Sequence, residues 1–292
     1  MLDTLAAPTR SFELTCRGRS FAVFDTPLLR AAAQDFADGR NEGMLQFFDA
    51  ALPRCGKFVD FGAYVGFTSL YAATQIRSVH AFEVSPTNHA LLRANIACNG
   101  DLAQRIIVQN LALGDRHGTV EVCGRAVADA GARIASSLHC GSWYGRPEAT
   151  VAMRAACEII GEIGVDGGTL LKIDIEGAEY HTVPSIADPL RDTKPFVHLA
   201  FHPGNIVVSD DEYVNAVTRL RSALEIAESL AHYRYMYAYT PDGWTCIDPP
   251  SRPYFLRQYL LAPKRAPGSA TSHYGFVDSI GFSDVLLGEL TG

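Results

Sequence analysis

Short apolar runs alternate with helical stretches between residues 57 and 114, and this alternation restricts the possible folds more than any other feature. The runs are FVDF, VHAFEV and RIIVQNLAL, and they are separated by GFTSLYAATQI and SPTNHALLRANIACNG. Apolar runs of about four to eight residues, joined by helices of about ten or more, indicate βαβ crossovers between parallel strands. The segment therefore predicts a doubly wound α/β fold.

Further strands are predicted in the second half of the chain. The segments TLLKIDIEG and PFVHLAFHP are apolar enough to be buried strands, and DDEYVNAVTRLRSALEIAESLA has the pattern of an amphipathic helix. The stretch YRYMYAYTPDGWTCIDPPSRPYFLRQYLLAPK predicts two aromatic strands joined by a long proline-rich loop. We therefore expect a mostly parallel, seven-stranded sheet with a terminal antiparallel hairpin.

Residues 1–55 are predicted to form an N-terminal extension. The alternating segment from Ser11 to Asp25 is typical of a small hairpin, and it is followed by two short helices divided near residues 39–43.

The core is expected over residues 56–265. Within it, residues 115–155 are irregular and rich in Gly, Ala and Ser, which predicts an excursion over the active-site edge, and a helix follows around residues 157–164. Residues 266–292 are too apolar for a free tail, so we expect them to dock on the body or on a partner chain, as in a homo-oligomer.

Composition limits the partners and the compartment. Hydrophobic residues make up 48% and charged residues 20%, as in an ordinary globular protein. The net charge of −7, without a basic block, argues against nucleic acid and membrane surfaces. Neither a signal peptide nor an apolar membrane-spanning run is expected. Seven scattered cysteines without a C-x-x-C pair argue against a zinc cluster and predict reduced thiols in the cytoplasm.

The loop VDFGAYVGFTSL follows the first predicted core strand and discriminates between cofactors. A nicotinamide cofactor has a pyrophosphate, and its G-x-G-x-x-G loop needs a middle glycine where this chain has Tyr64. S-adenosylmethionine has no phosphate, and a helix N-terminus with a bend of small residues suffices for its carboxylate. The loop favours S-adenosylmethionine; the alternatives are an oxidoreductase and a turn that binds nothing. The terminal hairpin likewise favours the methyltransferase variant of the fold.

Acidic residues at strand ends complete the predicted cofactor site. Glu83 follows Gly62 at the spacing where a carboxylate accepts hydrogen bonds from both ribose hydroxyls. Asp60 is expected to meet either the methionine ammonium group or the local amide network, and Tyr64 to lie along the methionine end or at the mouth of the acceptor pocket. The predicted cofactor residues are Asp60, Gly62, Tyr64, Gly66, Thr68, Glu83, Ser85, Asn110 and Asp174.

A second acidic group lies in LLKIDIEGAEYHTV, directly after a predicted buried strand. Asp174, Glu176 and Glu179 should share the sheet edge with the glycine loop, because ligands of open α/β sheets bind beyond the carboxyl ends of the strands. Such carboxylates repel one another unless a proton, a cation or a donor intervenes. The alternative for the two glutamates is that they cap and solvate the next helix.

Two histidines lie in the next predicted strand segment, PFVHLAFHP. His202 is expected at the same edge, as a general base or as a metal ligand, whereas His198 should be a hydrogen-bonded core residue. Asp174, Glu176 and His202 would together suit Mg²⁺ or another divalent ion that lowers the pKa of an acceptor hydroxyl. The spacing alone leaves both routes of proton removal open.

Aromatic residues supply the candidate substrate contacts. His139, Trp143 and Tyr144 lie in the excursion and Trp244 lies in the terminal hairpin. Each suits stacking on a sugar or aglycone face. An ordinary surface loop and plain hairpin packing are the respective alternatives.

From Lys57 to His202 the chain resembles the FkbM-type methyltransferases. The similarity rests on VDFGAYVGFTSL, FEVSPTNHALLRANIACNG, LALGDRHG and especially LLKIDIEGAEY. It implies a class I, Rossmann-like methyltransferase fold, S-adenosylmethionine as cofactor, and O-methylation of hydroxyls on sugars or polyketide-type natural products. Tyr64 stands where the family usually has Asn, and Val84 where it often has Pro.

Together these features predict a methyltransferase that acts on the oxygen of a small-molecule acceptor, with Asp174, His202 and Glu176 as catalytic residues. The alternatives are an N-methyltransferase and a degenerate fold that serves as a partner subunit. The intact acids at positions 60, 83 and 174 count against the second of these.

Overall fold

The computed structural model describes residues 10–39, 41–124, 130–134, 146–240, 242–252, 273–279 and 281–288. The strands are β1 Ser11–Cys16, β2 Arg19–Phe24, β3 Lys57–Phe61, β4 Ser78–Glu83, β5 Ile106–Asn110, β6 Ala112–Gly114, β7 Gly118–Gly124, β8 Arg133–Ile134, β9 Arg146–Ala155, β10 Thr169–Ile173, β11 Phe196–Ala200, β12 Tyr235–Thr240, β13 Gly243–Ile247 and β14 His273–Val277.

The helices are α1 Pro27–Ala37, α2 Glu42–Ala51, α3 Phe67–Ala73, α4 Pro86–Ala97, α5 Gly100–Ala103, α6 Ala156–Ile163, α7 Glu179–Ser185, α8 Ala187–Thr193, α9 Glu212–Ser229 and α10 Phe282–Gly288. Short 3₁₀ turns occupy Leu52–Arg54, Pro203–Asn205 and Pro249–Ser251. The predicted N-terminal hairpin, the pair of short helices and the βαβ alternation all occur.

The main sheet has the order β13-β12-β14-β11-β10-β3-β4-β5. The five strands from β11 to β5 run parallel, whereas β14 pairs antiparallel with both β11 and β12. This arrangement confirms the α/β class and the antiparallel end of the sheet. It corrects the strand number from seven to eight.

The antiparallel end differs from the predicted hairpin. Strands β12 and β13 already pair at Thr240 and Gly243, and the segment expected to form the second strand lies largely outside the described residues. The additional strand β14 comes from the segment expected to be a docking tail. Residues 273–277 therefore lie within the sheet, between β11 and β12, and all but the first of them are buried.

The excursion after residue 114 contains a second sheet, in the order β6-β9-β7-β8. Strands β7 and β9 pair antiparallel over most of their length, so the described part is more regular than expected. A short buried cluster, which includes Val122, Val151 and Met153, holds this sheet together.

The central strands are buried on both faces, which explains their continuous apolar runs. Alternate residues of β3 show this: Phe58 packs in a cluster with α2 and α3, while Val59 and Phe61 pack in a cluster with α6, α7 and α9. These layers fix the carboxyl ends of β3, β4 and β10 side by side. In the described part of the chain, no helix is both long and apolar enough to cross a bilayer.

Candidate active site

The loop after β3 is shaped by two glycines in the left-handed region. Gly62 has φ 84°, and a Cβ atom there would lie 1.8 Å from the carbonyl oxygen of Asp174. Gly66 has φ 91°, begins α3 as its N-cap, and leaves room for the Leu92 side chain. The loop therefore lies directly against β10, and only glycine fits at position 62.

Tyr64 lies between these glycines with φ 51°, an uncommon conformation for an aromatic residue. Its backbone N–H donates to Glu83 Oε2 over 2.8 Å. The side chain is half-buried and lines a cavity, and its contact with the methionine end of the cofactor stays a prediction.

Glu83 ends β4 and is only 5% exposed. Besides the bond from Tyr64, its carboxylate accepts one from the backbone N–H of Ser85 over 2.9 Å and one from the side chain of Asn88. Burial raises the pKa of Glu83 to about 7, although these donors act in the opposite direction. The group is thus positioned, but held near the midpoint of its titration at neutral pH.

A cavity of about 290 Å³ opens at the carboxyl ends of β3, β4 and β10. Five of the nine predicted cofactor residues line it: Gly62, Tyr64, Thr68, Glu83 and Asp174. Further wall residues are Phe82, Leu111, Leu113, Ala132 and Ile134, and from the N-terminal helices Asp35, Asn41 and Met44.

This wall fits S-adenosylmethionine. Glu83 presents a carboxylate where ribose hydroxyls need an acceptor, apolar side chains surround the space beside it, and the missing Cβ at Gly62 lets the backbone form the floor.

The other four predicted cofactor residues lie behind the wall rather than on it. Asn110 donates to the backbone carbonyls of Glu83 and Val84, Ser85 caps α4 and bonds to Glu148, and Gly66 caps α3. These groups shape the loops that carry the cavity.

Asp60 is the fourth of these residues. Its burial contradicts the predicted contact with the methionine ammonium group and leaves the alternative, a role in the local hydrogen-bond network. It is fully buried and accepts hydrogen bonds from Thr68, Ser69 and Lys172, the last over 3.0 Å. Lys172 also donates to the carbonyl of Gly62 over 2.8 Å. The ion pair thus supports the glycine loop from below.

Lys172 was missed by the sequence analysis, although a signal was present. A lysine within the buried strand TLLKI must find a carboxylate, because an unpaired charge in that position is prohibitively costly. Its register partners in the sheet are Asp60 on β3 and His198 on β11.

Asp174, Glu176 and His202 come together at the edge of the cavity. One ligand atom from each lies within 4.8 Å of the other two. The Nε2 atom of His202 is 3.4 Å from Asp174 Oδ1 and 3.5 Å from Glu176 Oε1. Asp174 and Glu176 also line the cavity, so the predicted cluster and the predicted cofactor loop share one wall.

Glu179 positions this cluster. Its fully buried carboxylate accepts bonds from the backbone N–H groups of Gly177 and His202 and lies 3.0 Å from His202 Nδ1. Glu179 therefore anchors the histidine. The alternative prediction was that it solvates the next helix, and its full burial contradicts this. Glu176, at φ 53°, holds a left-handed backbone conformation in the same turn.

The charged groups of the cluster shift one another's pKa. Burial lowers the pKa of His202, but Glu179, Glu176 and Asp174 outweigh it and raise that pKa to about 10. Burial raises the pKa of Asp174, but Lys172 and His202 hold it at about 2. At neutral pH the imidazole therefore retains its proton and is a poor base.

His198 is a core residue, as predicted, but not a hydrogen-bonded one. It is fully buried against Phe47, Phe48 and His273, and neither ring nitrogen has a partner among the described residues. Burial moves its pKa well below the usual value, so the ring is neutral.

The predicted substrate contacts are placed only in part. Trp244 is 3% exposed, packs on Phe47 and Tyr239, and donates to the carbonyl of Gly43. The structure therefore corrects its role to core packing, because the indole is enclosed by α2. His139, Trp143 and Tyr144 lie outside the described residues.

Comparison with known structures finds methyltransferases at low similarity. A methyltransferase FkbM from Methylobacillus flagellatus KT is 16% identical with a TM-score of 0.42, over 76% of this chain and 44% of that chain. A putative O-methyltransferase from Klebsiella pneumoniae is 12% identical with a TM-score of 0.41, over 87% and 91%. The O-methyltransferase from Bacillus cereus, in complex with SAH, is 11% identical with a TM-score of 0.40, over 75% and 85%.

The present chain thus spans less than half of the Methylobacillus protein. No curated protein matches it. The family model described as the methyltransferase FkbM domain matches residues 60–205, which contain the glycine loop, Glu83 and the Asp174 cluster. Since this match covers half of the 292 residues, the chain belongs to the FkbM methyltransferase family.

Proposed function

We propose that this protein transfers a methyl group from S-adenosylmethionine to a hydroxyl oxygen of a sugar or another natural-product small molecule, and that a divalent cation held by Asp174, Glu176 and His202 assists. The observation that carries the proposal is the shared wall: Asp174 and Glu176 line the same cavity as Gly62 and Glu83.

The cofactor would supply a methyl group activated on a sulfonium sulfur. The acceptor oxygen attacks the methyl carbon in line with the breaking bond to sulfur, the bonding electron pair stays on sulfur, and the hydroxyl proton is released to water. Glu83 and the loop at Gly62 hold one reactant, and the Asp174 cluster faces the other. Alignment of this kind is a large source of rate in a displacement.

The geometry favours a cation over direct proton removal by His202. Glu179 lies at Nδ1 of the imidazole, so Nε2 faces Asp174 and Glu176, as in a carboxylate–histidine–metal arrangement. Two carboxylates and one imidazole suit Mg²⁺ or Mn²⁺, which would lower the pKa of a bound hydroxyl. Without a cation, the same carboxylates keep the imidazole protonated.

The cation is tested with Mn²⁺ alone, by electron paramagnetic resonance titration of the purified protein. We expect one site per chain, weakened at least about tenfold by Asp174→Asn and by Glu176→Gln. The matched control is His117→Ala, since His117 and Glu158 form a similar pair outside the cluster and should not affect binding. Normal binding of S-adenosylhomocysteine without Mn²⁺ binding would contradict the cation and leave the cofactor assignment intact.

The reaction is tested by S-adenosylhomocysteine release with a panel of hydroxylated sugars and polyketide-type alcohols, and with matched amines. Methylation of the alcohols, abolished by EDTA and restored by Mg²⁺, is the expected result. Turnover of amines alone would identify an N-methyltransferase. Activity that survives both EDTA and His202→Ala would contradict both routes of proton removal.

A further inference from the structure

A chain of hydrogen bonds connects the second sheet to the acidic cluster. Arg133 Nη1 donates to Asn205 Oδ1 over 2.6 Å, and Asn205 Nδ2 donates to Glu176 Oε2 over 2.9 Å. Arg133 is only 7% exposed, and its Nε donates to the carbonyl of Gly131 over 3.0 Å. The chain therefore begins at a buried guanidinium group and continues through Asn205 and Glu176, which are both half-buried.

The direction of these bonds is fixed by chemistry. A guanidinium group only donates and a carboxylate only accepts, so the amide of Asn205 can satisfy both neighbours in one orientation alone. Glu176 in turn lies 3.5 Å from His202 on its other oxygen. Its left-handed backbone persists only where the surroundings hold it in place.

At its other end, the chain begins at the cavity wall. Ala132 and Ile134 line the cavity, while Arg133 between them reaches Asn205 instead. Successive side chains of an extended segment point to opposite sides, so whatever packs on Ala132 and Ile134 also fixes the position of Arg133. Strand β8 is only two residues long, and its partners are Val122 and Cys123 of β7.

We propose that Arg133 and Asn205 are positioning residues that couple occupation of the cavity by the cofactor to the placement of the Glu176 carboxylate. The inference rests on the proposed function, because it takes the adenosine cofactor as the occupant. Cofactor bound against Ala132 and Ile134 orders β8, and Arg133 transmits this order through Asn205 to the turn that carries Glu176. Coupling of this kind is reciprocal, so an ordered Glu176 also favours the cofactor.

The test is hydrogen–deuterium exchange with S-adenosylhomocysteine as the probe, in the wild type and in Arg133→Lys and Asn205→Ala. In every protein we expect saturating probe to slow exchange across residues 60–66. In the wild type it should also slow exchange across residues 202–206, which do not line the cavity, at least about fivefold, the low end of typical coupling. In the two variants this second effect should disappear.

Two further variants keep the result interpretable. Arg252→Lys is the matched control, because Arg252 is also 7% exposed but donates to the backbone at Tyr233 and Arg234; it should behave like the wild type. Asn205→Asp keeps the acceptor for Arg133 but places a carboxylate against Glu176, so it should uncouple the cluster even if Asn205→Ala fails to fold.

The outcomes separate the inference from the proposed function. Slowed exchange at residues 202–206 in Arg133→Lys and Asn205→Asp, as large as in the wild type, would overturn the coupling. So would protection of residues 60–66 alone in the wild type. Absence of any protection in the wild type, even at the glycine loop, would instead contradict the cofactor assignment.

Discussion

Glu83 is enclosed by donors from three neighbouring residues, yet its pKa is raised to about 7. Burial dominates because the side chain has almost no contact with water. Since ribose hydroxyls donate to a carboxylate, the proposed contact with the cofactor requires the ionised form of Glu83. Below the pKa, a proton must leave before the ligand can bind.

The expected result is a pH-dependent affinity for S-adenosylhomocysteine. As pH rises toward 7 the dissociation constant should fall about tenfold per pH unit, and above about 7.5 it should be flat. Titration calorimetry between about pH 5.5 and about pH 8.5 measures this dependence. Glu83→Gln should bind more weakly and without this dependence; an unchanged slope in that variant would assign the titration to another group.

The raised pKa of Glu83 also makes the stability of the protein depend on pH. A carboxyl whose pKa is raised on folding stabilises the protein below its unfolded value near 4.5, and this contribution is lost as pH rises through about 7. Cofactor affinity and this part of the free energy of unfolding therefore change in opposite directions over one pH range.

Gly62→Ala tests the loop itself. The new methyl group would overlap the Asp174 carbonyl, and the φ of 84° is unfavourable for alanine, so we expect loss of cofactor binding and a large fall in melting temperature. Gly161→Ala is the control, because that glycine is exposed within α6 with open space around its Cβ position. It should stabilise the helix by up to about 1 kcal/mol. Normal binding by Gly62→Ala would show that the loop rearranges freely.

At the level of elements, the sequence identified those parts whose pattern is local. The alternation of strands and helices and the acids at the ends of β4 and β10 follow from period and punctuation, and the structure confirms these elements. The cluster of Asp174, Glu176 and His202 was also predictable, because parallel strands bring their carboxyl ends to one edge.

Contacts between elements distant in sequence had no comparable signal. Arg133 lies in a segment without apolar alternation, so nothing marked it as a buried residue that reaches Asn205. Trp244 was assigned to the substrate because an indole suits stacking, but α2 supplies a carbonyl acceptor at Gly43 and encloses it. Tertiary packing decides whether an aromatic ring stacks on a substrate or fills the core.

The N-terminal helices belong to this second category. They were predicted as an extension, and α1 contributes Asp35 to the cavity wall, while α2 and its N-cap residue contribute Met44 and Asn41. Helix α2 also packs on the main sheet through Phe47 and Phe48. The part of the chain that precedes the family match therefore helps to define the space available to an acceptor.

Across the whole molecule, α2 near one end of the chain packs on β14 near the other. A Cβ atom at Gly275 would lie 2.2 Å from the ring of Phe47, so Gly275→Ala should destabilise the protein by about 1–3 kcal/mol, measured by urea unfolding. Phe47→Leu makes room, and the double variant should be more stable than the sum of the single effects by at least about 0.5 kcal/mol.

The control for this double-mutant comparison combines Phe47→Leu with Gly161→Ala. These two sites lie in different layers of the fold, so their effects on stability should add. Additive effects for the Gly275 and Phe47 pair as well would mean that the ring and the strand do not press on each other.

The position of β14 also sets the order in which the polypeptide can be assembled as it leaves the ribosome. Strands β12 and β13 are synthesised first, but among the described strands β12 pairs only with β13 and β14, not with β11. The nascent hairpin must therefore wait beside an open β11 edge until residues 273–277 emerge and fill the gap. An exposed edge invites pairing with other chains, so we expect the yield of folded protein to depend on how fast this stretch is translated.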